Sequence, residues 1–149
     1  DGVDPSGNSN AALAFLRLSA YLAEPALSLK AEKIFLSFSD ELMEYGLNSA
    51  FMLQALHLYL GGLKEVAVVG KRNDPTTQKM LDTLRKGFYP NAVFAFAYED
   101  EIENAGKLIP LLKDRKLMNG KGTAYVCRQG ACLAPVQSAE ELVKLLSYE

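Results

Sequence analysis

Residues 51–60, Phe-Met-Leu-Gln-Ala-Leu-His-Leu-Tyr-Leu, would place apolar side chains around nearly the whole circumference of a helix. A helix apolar on every side is normally covered on every side. Each large apolar side chain contributes roughly 1.5–3 kcal/mol on burial, as an upper estimate. Leaving half of this helix in water would therefore cost an amount comparable to the net stability of a domain. The segment needs cover from the downstream part of the chain, from a second copy, or from a further part of a longer chain.

Upstream of it the spacing is also helical. The opening Asp1 to Asn8 is turn-rich, and Asn8 or Ser9 can cap a helix from about Asn10 carrying Leu13, Phe15, Leu16, Leu18 and Leu22. Pro25 ends or interrupts that helix. A second helix is expected from Ser28 to Tyr45, with the stripe Ala31, Ile34, Phe35, Phe38 and Leu42 and a stop at Gly46. The third helix opens at Asn48 or Ser49 and runs through Leu60.

Beyond Gly61-Gly62 the pattern changes to short apolar runs alternating with polar helical segments. Glu65–Val69 reads as a buried strand, Asp74-Pro75 as a cap and first helical position, and Asn91–Tyr98 as a second strand. A strand, helix, strand unit of this length predicts a right-handed parallel crossover. Gly106 and Pro110 break the helical stretch from Glu101 to Asp114. Thr123–Cys127 is a third strand, Gln129-Gly130 a turn, and Ala131 to Val136 the return. Ser138 and Glu141 form a capping box for a last helix. The fold class is α/β (mixed α+β). A helical layer of about three helices over 1–62 precedes a β-α-β-α-β-β-α layer over 63–149 with a four-stranded mixed sheet, the minimal thioredoxin-like order. No Cys-x-x-Cys follows the first strand and no proline directly precedes the third, so the order alone carries no redox argument.

Composition narrows the function classes. A net charge of −2 without a basic stripe gives no basis for nucleic-acid binding. The apolar runs are too short to cross a bilayer, and no secretory leader is read before the first helix, so a cytoplasmic location is expected. Two cysteines and one histidine cannot make an all-Cys/His four-ligand zinc site, and no metal or cofactor is expected.

Cys127 and Cys132 are the most specific constellation. A two-residue turn at Gln129-Gly130 would set Arg128 opposite Ala131 and Cys127 opposite Cys132, at a closely spaced pair where a cross-strand disulfide is plausible. Reduced structural thiols, a labile or regulatory disulfide, and a metal or catalytic role remain open readings. The loop Gly70–Thr77 joins a strand to a helix N-terminus, where Lys71 and Arg72 would favour a phosphate. It lacks both glycine-rich phosphate signatures, and Asp74 already caps the helix. His57, one turn after Gln54, reads more simply as structure than as a general base. Glu99, Asp100, Glu101 and Glu103 read as charges at the positive end of a helix. Asp1, Asp4, Asn8 and Asn10 around Pro5-Ser6-Gly7 could meet a cation or sugar, but turn and cap duty is the default.

Several of these residues together resemble one family. Pro5-Ser-Gly-Asn-Ser9 before an Ala/Leu helix, Glu65-Val-Ala-Val-Val-Gly70, Tyr89-Pro-Asn91, and Thr123-Ala-Tyr-Val-Cys127 with Cys132-Leu-Ala-Pro-Val136 resemble the C-terminal end of thioredoxin-domain-containing proteins related to spermatogenesis-associated protein 20. The resemblance implies an N-terminal thioredoxin-like domain, a six-hairpin α/α toroid linked to carbohydrate metabolism, and a C-terminal portion corresponding to this chain. Residues 1–62 would then be the last hairpins of the toroid. The implied function is a structural and interaction portion with no complete active site, and so not an enzyme on its own. Its partners would be the remainder of the parent chain, or a second copy through exposed apolar helices. Two alternatives are a contribution to a sugar isomerase, epimerase or glycoside hydrolase-like site, with Ser6, Asn8 and Ser9 as substrate-binding candidates, and a redox element at Cys127 and Cys132.

Overall fold

Ser6 has an extended backbone, and its hydroxyl accepts the Ser9 amide at 3.1 Å, so the first helix, α1, spans Gly7–Leu22. The cap therefore lies at Ser6 and not at Asn8 or Ser9, because the side chain that satisfies a free amide sits three residues before it. These positions come from a computed structural model that describes residues 1–128 and 130–147. The chain forms two compact units, one of residues 1–63 and one from Lys64 onwards.

In the first unit, Ala23 ends α1 in the left-handed conformation, φ 50°, and α2 spans Pro25–Ser37. Pro25 thus occupies the start of a helix, where its missing amide costs nothing. The expected single helix over 28–45 is instead two. It breaks at Phe38, φ −113° and ψ 14°, and resumes as α3, Ser39–Tyr45. Serines flank the break, and their hydroxyls donate to the backbone oxygens of Lys33 and Leu36. Such local bonds compete with the helical ladder, which an apolar stripe alone does not reveal. A 3₁₀ turn, Gly46–Ser49, leads into α4, Ala50–Gly61.

The core of this unit combines Ala12 and Leu16 of α1, Ala31 and Phe35 of α2, and Met52, Ala55 and Leu58 of α4. Ala12, Ala31 and Ala55 are fully buried, and their small side chains let the helices approach closely. Only one stripe of α4 is buried. Phe51, Leu53, Leu56 and Tyr59 are half-buried, and Leu60 is 71% exposed.

The second unit is built on a sheet of order β2-β1-β3-β4, comprising β1 Lys64–Gly70, β2 Ala92–Tyr98, β3 Thr123–Arg128 and β4 Ala131–Cys132. β1 pairs with β2 in parallel and with β3 antiparallel. The helices are α5 Pro75–Lys86, α6 Ile102–Leu108 and α7 Ala139–Ser147. Alternation divides β1 between two faces. Val66 and Val68 join Met80, Leu81, Leu142 and Leu146 of α5 and α7 in a fully apolar core. Glu65, Ala67 and Val69 point the other way, in register with Cys127, Tyr125 and Thr123 of β3.

The Glu101–Asp114 stretch is broken as its Gly and Pro imply: α6 stops, and a 3₁₀ turn, Pro110–Leu112, buries Leu111 and Leu112. A Cβ on Gly106 would lie 3.1 Å from the Lys113 Cα, so the chain doubles back tightly there. The expected long return over Ala131 to Val136 is only two residues of strand. The chain rejoins the sheet at a single bridge between Ala124 and Val136. The Leu133 amide still donates to the Val126 carbonyl at 2.9 Å, and the register then shifts by one residue before Val136 pairs with Ala124, so a bulge interrupts the ladder. The expected turn at Gln129-Gly130 falls partly on Gln129, which lies outside the described residues.

Candidate functional site

The second face of the sheet gathers the chain's most reactive groups. β3 carries Cys127 and β4 carries Cys132 as register partners, and the two sulfurs are bonded. They are unequal. Cys127 is 2% exposed, whereas Cys132 lies on the exposed end strand.

A third residue completes the group. Past the 3₁₀ turn, Arg115 extends its guanidinium over the disulfide, with one terminal nitrogen 3.4 Å from the Cys127 sulfur and 3.7 Å from that of Cys132. Its position is determined on several sides. Buried Leu111 and Leu112 anchor the turn before it, its Nε donates to the Leu111 carbonyl at 3.4 Å, and its carbon centre lies 4.8 Å from the Tyr125 ring centroid. The Tyr125 hydroxyl donates to the Lys116 carbonyl at 2.7 Å, which ties the following backbone to β3. Glu65 sits across the ladder from Cys127. Burial pushes its carboxyl above the usual carboxylate range, and the Arg115 charge pulls it part of the way back. A fixed guanidinium beside a disulfide stabilises whichever sulfur becomes a thiolate, because the thiolate carries the charge.

The loop after β1 has a different character. Asp74 accepts the amides of Thr76 and Thr77 at 3.2 and 3.1 Å, the Thr77 hydroxyl at 2.6 Å, and the Gly122 amide at 3.3 Å. The helix N-terminus that could have received an anion is filled by the chain's own carboxylate. Arg72 is equally committed, pairing with Asp100 and Glu101 and stacking on Tyr98 at 4.3 Å. Two members of the 99–103 acidic run are therefore occupied by Arg72. Among the described residues, no group of three or more His, Cys, Asp or Glu is placed to hold a metal ion. His57 is exposed on α4.

The substrate-binding candidates Ser6, Asn8 and Ser9 lie at the start of α1. Buried Ser9 donates its hydroxyl to the Asp1 carboxylate at 2.5 Å and lies 2.8 Å from the Ser6 hydroxyl. The other Asp1 oxygen accepts the Phe51 and Met52 amides at 2.9 and 3.2 Å, so one carboxylate bridges the starts of α1 and α4. Asn8 is exposed. An open depression of about 590 Å³ nearby is lined by Asp1, Gly2, Val3, Pro5, Ala50, Phe51, Leu53 and Gln54, and not by Ser6, Asn8 or Ser9.

Sequence reasoning isolates the two cysteines by spacing but not Arg115, which lies in an irregular segment 12 residues from Cys127. Glu65 had a signal: an acidic residue opening an otherwise apolar buried strand.

The chain is 28% identical over 146 residues to human Spermatogenesis-associated protein 20 and 26% identical to the rat protein of that name. The alignments cover 98% of this chain but only 19% and 18% of those relatives, so the chain spans about a fifth of their length. No family model matches the chain. No solved structure matches it. No helix among the described residues is long and apolar enough to cross a membrane.

Proposed function

We propose that this chain is the C-terminal portion of a larger protein similar to Spermatogenesis-associated protein 20, and that it serves there as a structural and interaction unit with no complete active site. The observation that carries this reading is α4. Its sequence is apolar nearly all round, yet its buried stripe is Met52, Ala55 and Leu58, while Leu60 is 71% exposed. The exposed stripe carries Gln54 and His57 beside Leu60, while Phe51, Leu53, Leu56 and Tyr59 are only half-buried, and covering that remaining apolar area would be favourable. The occupant is the remainder of the parent chain, since the relatives extend far beyond the matched fifth. Residues 1–62 then act as the closing hairpins of an α/α toroid, as the family resemblance implies.

Amide hydrogen exchange tests the reading in the full-length parent and in residues 1–149 side by side. Peptides covering 50–61 are expected to be at least tenfold better protected in the parent. Equal protection, together with a one-protomer light-scattering mass for the shorter chain, would reject it.

A second reading is favoured by a specific contact. Arg115 approaches both sulfurs of the Cys127–Cys132 bridge. In this reading the bridge is a redox element that exchanges with a thiol group elsewhere in the parent. Thiol counting decides its first requirement: the oxidised chain has no free thiol in air and two after treatment with dithiothreitol.

A further inference from the structure

We propose that the Cys127–Cys132 bridge is a directed exchange site for a dithiol, in which Cys132 is the sulfur attacked, Cys127 is the leaving sulfur, and Arg115 is the positioning residue that holds the departing thiolate. This assignment rests on the redox reading above and adds roles to it.

Access sets the direction. An incoming thiolate must approach one sulfur from the side opposite the other. Cys132 lies on the exposed two-residue β4, whereas Cys127 is 2% exposed on β3. Attack on Cys132 breaks the bond between the two cysteines and forms a mixed disulfide at Cys132. The electron pair of the broken bond leaves on Cys127. The second thiol of the reagent, deprotonated, then attacks the reagent's own sulfur in the mixed disulfide. Cys132 is released and the reagent becomes a disulfide. Two electrons pass from the dithiol to the protein, and its two protons end on the two cysteines at a pH below their thiol values.

The leaving step needs a counter-charge. A thiolate on a nearly buried sulfur is costly unless a cation is fixed beside it. A guanidinium stays charged throughout the working pH range. Arg115 is already seated 3.4 Å from that sulfur by the Leu111 carbonyl and the Tyr125 ring, so little ordering remains when the charge develops. Among the described residues, Glu65 from β1, Tyr125 from β3 and Arg115 itself are titratable or charged groups set against the bridge by register or contact. Glu65, when ionised, opposes the thiolate. Replacing it with Gln should therefore move the Cys127 thiol in the sense opposite to replacing Arg115.

The test reads reduction by dithiothreitol at neutral pH through alkylation and mass measurement. A leaving-group thiol lowered by an adjacent cation departs faster, so Arg115→Gln should slow reduction about three- to tenfold, with Arg115→Lys nearer the parent rate. In the reduced protein, Arg115→Gln should raise and Glu65→Gln should lower the pH midpoint of Cys127 alkylation. Single-cysteine variants keep the proposal testable should Arg115→Gln fold poorly. With oxidised glutathione, Cys132 in Cys127→Ala should react at least tenfold faster than Cys127 in Cys132→Ala, and equal rates would overturn the assignment. Two free thiols in air would overturn the redox reading itself. A bridge that forms, but is reduced at the parent rate in Arg115→Gln with an unmoved alkylation midpoint, would leave that reading standing and remove Arg115 from it. Comparing dithiothreitol with reduced thioredoxin at equal dithiol concentration separates a small-molecule from a protein source.

Discussion

Replacing Asp74 with Ala should loosen the α/β unit far more than a surface carboxylate normally could. Its two oxygens accept four hydrogen bonds, from the amides of Thr76, Thr77 and Gly122 and from the Thr77 hydroxyl. Loss of a helix cap costs about 1 kcal/mol. Thr77 is fully buried, so its hydroxyl would be left without an acceptor, at about 1–3 kcal/mol more. The total is about 3 kcal/mol, or roughly a hundredfold in the opening equilibrium. Asp74→Asn keeps an acceptor oxygen and should cost only about 1 kcal/mol. Amide exchange of β1 and β3 peptides measures this unit without interference from residues 1–63. The pH dependence has a definite sign. The Thr77 hydroxyl, followed by the surrounding amides, holds the Asp74 carboxyl below the ordinary Asp range. Its contribution is therefore fully present above about pH 4 and is lost as pH falls through the lower native value. The gap between the parent and Asp74→Asn should close in that acid window. An Asp74→Ala protein within about 0.5 kcal/mol of the parent at neutral pH would refute the reasoning, since that is the ordinary range for surface substitutions.

Leu142→Ala removes a fully buried side chain from the core between α7 and the sheet and should cost about 2–5 kcal/mol in urea unfolding of the second unit. Gly70→Ala would set a methyl group 2.1 Å from the Thr77 Cγ2, so its midpoint should fall clearly below that of the parent; an unchanged midpoint would show that α5 shifts freely. Ser138→Ala removes a cap of α7, where the Ser138 hydroxyl accepts the Glu141 amide at 3.2 Å and donates to its carboxylate at 2.9 Å, and should cost about 1 kcal/mol by thermal denaturation. Glu65→Gln should leave stability equal or higher at neutral pH and make no difference in acid. Burial raises the native Glu65 carboxyl, so its ionisation opposes folding as pH rises through that range; a clear loss at neutral pH would contradict this sign.

The caps show where sequence reading succeeds. Asp74-Pro75 and Ser138 with Glu141 are local signatures, and both open helices where their spacing implies. The strand positions follow equally directly, because β-branched runs between turn residues have few other ways to bury themselves. The register that sets Cys127 opposite Cys132 follows from hairpin spacing alone. The break at Phe38 was not legible. The apolar stripe continues through it, and only the back-bonding of Ser37 and Ser39 separates α2 from α3. Nor was the Ser6 cap, since several residues of the opening turn could serve and the extended backbone of Ser6 decides among them.

Periodicity, caps and turn chemistry belong to residues a few positions apart, and by themselves they determine which segments become helix or strand here and where the two cysteines meet. Tertiary structure alone decides that Asp74 accepts the Gly122 amide and that Arg115 reaches the Cys127 sulfur. Those meetings depend on how the segment from Pro110 to Gly122 packs across one face of the sheet. Burial of Leu111 and Leu112 sets the path of that segment, and no local pattern encodes which distant partner the path will pass.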